Sequence, residues 1–383
     1  MNQLAVNRKI VKKIIFISLQ GIGDLILALP AFRSVKEEFP GVELFVLTLE
    51  KNRGVVDGDA AITEVFTYDG TKKGLAALGA LFRLLLNIRR EAFDASVCMY
   101  PVGLRSALIG YLSGAFVRVA QNVWKLRHFY FLFTLRVPVR SGTHAVEMNL
   151  DLVRALGVKA RADSLKLSVA VSDKHRGLAA AFKVEQSISK NDMLIAIHAG
   201  AGAWGRSRLW PAENFAALAD RLIDRYRAKV VFIGAAGEEK TFNAVKDKMR
   251  NKPVFFGSHS LKVTAVFLES CSLFIGNNSG PMHLAAAMKT PTLGIFGDTD
   301  PRIHRPFGGN NAVVRKGLDC SPCYYPHLHG TLPEARLDQG VVGRRFRCKK
   351  NTYECMERVE VDDVFAAAQK MIEKLHLHHG GNS

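Results

Sequence analysis

The sequence is short of acid. Lys and Arg number 53 against 35 Asp and Glu, for a formal net charge of +18. No acidic residue lies between Asp94 and Glu147. Such an excess favours acidic partners: nucleic acid, anionic lipid or phosphorylated small molecules. No recognised nucleic-acid module accompanies it, so nucleic acid is not an expected partner. Apolar segments near the ~20 residues that cross a bilayer are also missing, which excludes an expected membrane span. The N-terminal "IIFISL" follows Arg8, Lys9, Lys12 and Lys13 and looks briefly like a secretion signal. Gln20, Gly21 and Asp24 interrupt it, so it reads as a first strand of a cytoplasmic protein. A full G-x-G-x-x-G fingerprint is absent too, and no acid ends the second strand in the usual way, although Glu50 is close. That counts against a dinucleotide oxidoreductase.

What is present is globular. Hydrophobic residues make up 48% and charged residues 23% of 383 residues, a length suited to two domains. Strand and helix patterns alternate. The run 13–19 reads as a buried parallel strand, 25–39 as a helix with Leu25, Leu29, Phe32, Val35 and Phe39 on one face, and 42–48 as the next strand. Further strands are predicted at 62–67, 94–99 and 115–119, with helices at 74–91, 103–113 and 144–156. The pattern starts afresh at "MLIAIHAG", 193–200, and runs to a strand at 291–296. This predicts an α/β protein of two doubly wound parallel-sheet domains. The expected boundaries are 1–171, a polar linker 172–192, a second domain 193–360 and a C-terminal helix 361–375.

Ligands of such sheets bind at the carboxyl ends of strands. Four loops stand out there: "LQGIGD", "HAGAGAWGRSRLWP", "GAAGEE" and "GNNSGPMH". Glycines let backbone N–H groups approach a ligand, and a helix start adds a field that favours phosphate. Gly200 and Ala201 are such loop positions. Asn278, Ser279 and Gly280 sit where a diphosphate would meet a helix, with His283 in its first turn.

In order and spacing, "GIGDLILALPAFRSVKEEFPGVELFVLT", "HAGAGAWGRSRLWPAENFAALADRL", "GAAGEE" and "GNNSGPMHLAAAMKTPTLGIFGDTDP" resemble the ADP-heptose:lipopolysaccharide heptosyltransferases, glycosyltransferase family 9. The likeness runs from near residue 13 to about 308. It implies the GT-B fold, two facing Rossmann-like domains, with the acceptor on the N-terminal domain and the nucleotide sugar on the C-terminal one. It implies inverting transfer of heptose from an ADP-sugar donor to an anionic glycolipid, the lipid A-core. Asp24 falls at the family's proposed base position. Arg208 stands where the family usually has lysine, to neutralise the leaving diphosphate. Glu238 matches a carboxylate that accepts from ribose hydroxyls, and His259 is expected to line the adenine pocket. Many members read Asp-Ser-Gly where this chain reads Asn278-Ser279-Gly280. Asparagine can hold a loop but cannot act as a carboxylate. Three readings follow: the heptosyltransferase, a relative with another sugar or acceptor such as a protein hydroxyl, or a binding protein that has lost catalysis.

Two features stand apart. Cys320, Cys323, Cys348 and Cys355 form C-x2-C-x24-C-x6-C, a count and start that suit a structural zinc or iron; no cofactor is expected for catalysis itself. The acid-free span holds Arg105, Arg118, Lys125, Arg127, Arg136 and Arg140 among Trp124, Phe129, Tyr130, Phe131 and Phe133. It predicts a basic, aromatic surface for the glycolipid and a peripheral place on the cytoplasmic membrane face.

Overall fold

In the computed structural model, which describes residues 11–161, 168–235, 237–257, 259–323, 348 and 350–380, the apolar run after Lys12 becomes β1 (Lys13–Ser18), buried from Ile14 onward. The chain continues through α1 (Ile22–Ile26), α2 (Leu29–Glu38), β2 (Glu43–Leu49), β3 (Glu64–Tyr68), α3 (Gly74–Arg90), β4 (Ala95–Cys98), α4 (Leu104–Leu112), β5 (Val117–Gln121), β6 (Leu135–Val137) and α5 (Ala145–Arg154). Its sheet has the order β3-β2-β1-β4-β5-β6, with every neighbouring pair parallel. Right-handed crossovers place α3 and α4 together on one face, opposite α2.

A second unit begins at Val171. It holds α6 (Asp173–Glu185), β7 (Leu194–His198), α7 (Ala212–Tyr226), β8 (Lys229–Ile233), α8 (Glu239–Lys246), β9 (Val254–Phe256), α9 (Leu261–Glu269), β10 (Leu273–Asn277), α10 (Gly280–Ala287), β11 (Thr292–Ile295), α11 (Pro301–His304), β12 (Asn311–Val314), α12 (Glu354–Glu357) and α13 (Val361–Gly380). Its parallel sheet runs β12-β11-β10-β7-β8-β9. Both sheets are doubly wound and Rossmann-like.

The polar stretch 172–192 is largely α6. Phe182 on α6 meets Phe256 and Phe267 edge-on, with ring centroids 4.6 and 5.6 Å apart, which anchors this helix on the second unit. The last helix packs on the same unit. Val364, Phe365, Ala368 and Ile372 enter the core beside α7, and Val359 accepts the Trp210 indole N–H at 2.8 Å. The predicted helix 25–39 is instead two, because the turn at Leu27 and Ala28 separates α1 from α2.

Candidate functional site

In each sheet the strand order reverses beside the first strand, so the loops after β1 and β4, and after β7 and β10, flank a topological switch point. The second unit's switch point is the more elaborate. β7 ends in His198, which is 2% exposed. Its Nε2 lies 3.1 Å from Glu238 Oε2, and its Nδ1 lies 3.1 Å from Ser279 Oγ. An ionised Glu238 only accepts, so the network assigns the proton to Nε2 and makes Nδ1 the acceptor of the Ser279 hydroxyl. Three strand-end loops thus meet on one ring. Burial raises the Glu238 pKa, but the bond from His198 and backbone N–H bonds from Ala235 and Gly202 outweigh it and hold the carboxyl below its ordinary range. Space for that carboxylate exists because residue 200 is glycine: a Cβ there would stand 2.2 Å from Glu238 Oε1.

Ser279 is the N-cap of α10, yet its hydroxyl does not cap the helix. It serves His198, and the first-turn N–H groups of α10 receive no side-chain cap. Gly280 is the first helical residue. Asn277 braces the opposite wall. Its Nδ2 donates to the Ala199 and Gly200 carbonyls, both at 3.1 Å, and its Oδ1 accepts from the Trp210 N–H at 3.2 Å. Ala201 is buried in the same loop.

Arg208 is almost wholly covered. Its Nε donates to Asp298 at 3.0 and 3.2 Å, in a pair whose acid is 1% exposed. Burial pushes Asp298 above the ordinary carboxylate range, against the pull of Arg208 and of hydroxyls from Ser207 and Thr299. Asn278 completes this group: its Nδ2 donates to Thr299 Oγ1 at 2.6 Å. The single Thr299 proton goes to Asp298, so the neighbour at 278 must donate, and an amide does so where a carboxylate would not. Asn278 is therefore built into a local network.

Other expected residues are placed less centrally. Asp24 lies in the first unit, on α1, where its carboxylate accepts the Gly21 N–H at 3.0 Å. His283 is buried, and His259 is exposed beside Phe256 with ring centroids 4.1 Å apart. The basic and aromatic span is partly tied up inside the first unit, while Arg105, Arg127, Phe131, Arg136 and Arg140 are exposed. Arg118 donates to the Ala115 and Leu132 carbonyls, Arg136 stacks on Tyr130, Arg140 pairs with Asp151, and Phe133 is buried. Sequence reasoning passed over His198, Asn277 and Asp298. His198 ends an apolar strand, and Asp298 sits in "GDTDP", where a loop acid looks like a turn residue.

Cys320, Cys348 and Cys355 lie close enough to Cys323 to raise it, and Cys320 and Cys348 raise Cys355 in the same way. Burial foremost, with Asp298 next, pushes Cys323 and Cys355 up to about 12. Cys348 is lowered despite burial, by N–H groups of residues 350–353. A thiolate in such a nest suits a soft metal. Among the described residues, however, no three His, Cys, Asp or Glu side chains are spaced as ligands of one ion. The intervening residues 324–347 lie outside the described residues.

The profile of glycosyltransferase family 9 (heptosyltransferase) matches residues 81–327. Lipooligosaccharide heptosyltransferase 2 of Campylobacter jejuni is 22% identical over 362 residues, covering 93% of this chain and 97% of that protein. Among solved structures, a family 9 glycosyltransferase of Veillonella parvula superposes with a TM-score of 0.78 at 21% identity, over 95% of this chain and 98% of that one. The ADP-heptose lipopolysaccharide heptosyltransferase II of Escherichia coli does so with a TM-score of 0.72 at 18% identity, over 95% and 99% of the two chains.

Proposed function

The chain belongs to glycosyltransferase family 9, and from that premise we propose that it transfers L-glycero-D-manno-heptose from ADP-heptose to the inner core of lipopolysaccharide, with inversion. The observation that carries this reading is the switch point of the second unit. There an uncapped helix start, a carboxylate held ionised and a buried Arg–Asp pair adjoin on neighbouring loops.

The parts divide the work by charge. The α10 N–H groups at Ser279 and Gly280 receive the diphosphate. Glu238 has lone-pair capacity beyond its three donors and accepts a ribose hydroxyl. His259 borders the adenine beside Phe256, and His283 supports the phosphate end of α10. An acceptor hydroxyl attacks the anomeric carbon while Asp24 takes its proton. The bond from that carbon to the diphosphate oxygen breaks, and ADP leaves with the electron pair. Arg208 meets the charge that grows on the departing oxygens, and Asp298 fixes its guanidinium.

The acceptor is an anionic glycolipid, so the protein works as a peripheral protein on the cytoplasmic membrane face. The net charge of +18 supports this; among the described residues no helix is long and apolar enough to cross a membrane. The four cysteines hold one structural zinc or iron by donor chemistry, with no step of the transfer assigned to it. Calorimetry against nucleoside diphosphates, with turnover on ADP-heptose, ADP-glucose, GDP-mannose and UDP-sugars, tests the donor. ADP is expected to bind more tightly than UDP or GDP. Equal or tighter binding of a pyrimidine nucleotide overturns the assignment.

A further inference from the structure

α3 is a 17-residue helix whose inward side chains, Leu81, Leu84, Leu85 and Ile88, pack on the core of the first unit. A surface helix normally turns polar residues outward. This one does not. Leu75, Leu78, Phe82 and Leu86 are 86, 64, 63 and 40% exposed. Their spacing of three, four and four residues keeps them on one stripe. From Gly74 to Leu86 the one polar side chain is Arg83. α4 lies on the same face of the sheet and repeats the pattern with exposed Leu104, Leu108 and Leu112. Arg89 joins the two helices by donating to the Leu112 carbonyl at 3.3 Å.

The charges around this face say what covers it. Lys72, Lys73, Arg83 and Arg90 are exposed at its ends and middle. No acid occurs between Asp69 and Glu91. A second copy of the same face would bring like charges together. An anionic bilayer satisfies both features at once, taking apolar side chains into the boundary between headgroups and acyl chains and basic ones onto lipid phosphates.

We propose that the α3–α4 face of the first unit docks on an anionic lipid bilayer, with the Leu75–Leu86 stripe inserted. This deepens the acceptor reading above, because a glycolipid acceptor resides in such a bilayer. The docking contact uses none of the residues given roles in the transfer.

Co-sedimentation of the full chain with vesicles of phosphatidylcholine, with and without phosphatidylglycerol, tests it. The protein should partition onto the anionic vesicles and be partly released by salt. Leu78→Glu with Phe82→Glu should weaken partition at least about tenfold, since two exposed apolar anchors become acids. Melting temperature, ADP affinity and turnover on a soluble truncated core acceptor should stay unchanged. In Phe82→Trp, vesicle binding should shift the indole emission to the blue, and brominated acyl chains should quench it. Equal partition of the double variant, or no preference for phosphatidylglycerol, overturns the proposal. So does a dimer in light scattering that the double variant dissolves without vesicle binding. Native protein that binds vesicles through this face but turns over no ADP-sugar would sink the transferase reading and leave the docking face standing.

Discussion

Asn278 decides whether the departure from Asp-Ser-Gly signals lost catalysis. Its amide donates to a hydroxyl whose own proton is given to Asp298. Asn278→Asp would set a second buried carboxylate beside the first, with no donor left for it. It should lower stability by about 1–3 kcal/mol, the cost of an unsatisfied buried group, and leave turnover no higher. Urea unfolding with parallel ADP-release assays checks this, and a sharp gain of activity would contradict it. Arg208 needs a similar separation. Arg208→Ala strands the Asp298 charge, which costs about 3–5 kcal/mol when a buried pair is broken. It should also cut kcat more than tenfold, because the charge on the leaving group grows in the transition state. Adding Asp298→Asn should recover much of the stability and little of kcat, while Arg208→Lys recovers part of the rate. A change confined to KM would instead indicate ground-state binding. Gly200→Ala must push Glu238 aside and should weaken ADP binding with little change for the sheet. Glu238 also carries a pH signature. Its folded pKa is depressed, so its contribution to stability is present above the unfolded value near about 4.3 and is lost as pH falls through the lower folded value. Glu238→Gln should flatten that part of the acid unfolding curve.

The elements differ in how readily the sequence reveals them. The central strands β1, β7 and β10 are short and largely apolar, each is followed within three residues by a glycine, and their positions follow from hydrophobicity alone. The edge strands β6 and β12 have 3 and 4 residues and no fully buried position, so they carry no such signal. α6 reads as a connector because its buried face is little more than Ala179 and Phe182; tertiary contact with Phe256 and Phe267 makes it a packed helix. The site was readable in part for the same reason. Small residues at strand ends marked the loops around Gly200, Glu238 and Ser279. His198, inside an apolar strand, and Asp298, in a turn-like segment, become visible only when separate loops are brought together. Several helices are followed by a non-glycine residue in the left-handed region, and at α7 it is the C-cap itself, Arg227, with φ 52°. Arg227→Gly should relieve the strain there and raise stability by about 0.5–1 kcal/mol, read as a higher melting temperature.

For the molecule as a whole, the division into two units makes a kinetic prediction. The residues proposed for nucleotide binding all belong to the second unit, and Asp24 belongs to the first. Damage to one should therefore leave the other's equilibrium intact. Asp24 is a demanding case, because its carboxylate also accepts the Gly21 N–H at the start of α1. Asp24→Ala removes the cap and the base together and confounds them. Asp24→Asn retains a carbonyl oxygen for Gly21 but cannot accept a proton from the acceptor at useful strength. Loss of a general base costs about 10²–10⁴ in rate. Asp24→Asn should thus lower kcat by that amount on a truncated core acceptor with ADP-heptose, while ADP affinity and melting temperature stay near those of the native chain. Glu238→Gln should do the reverse, weakening ADP first. The two effects should combine additively in free energy in the double variant, as for sites that share no partner. Undiminished turnover in Asp24→Asn would remove Asp24 as the base and return it to a capping role.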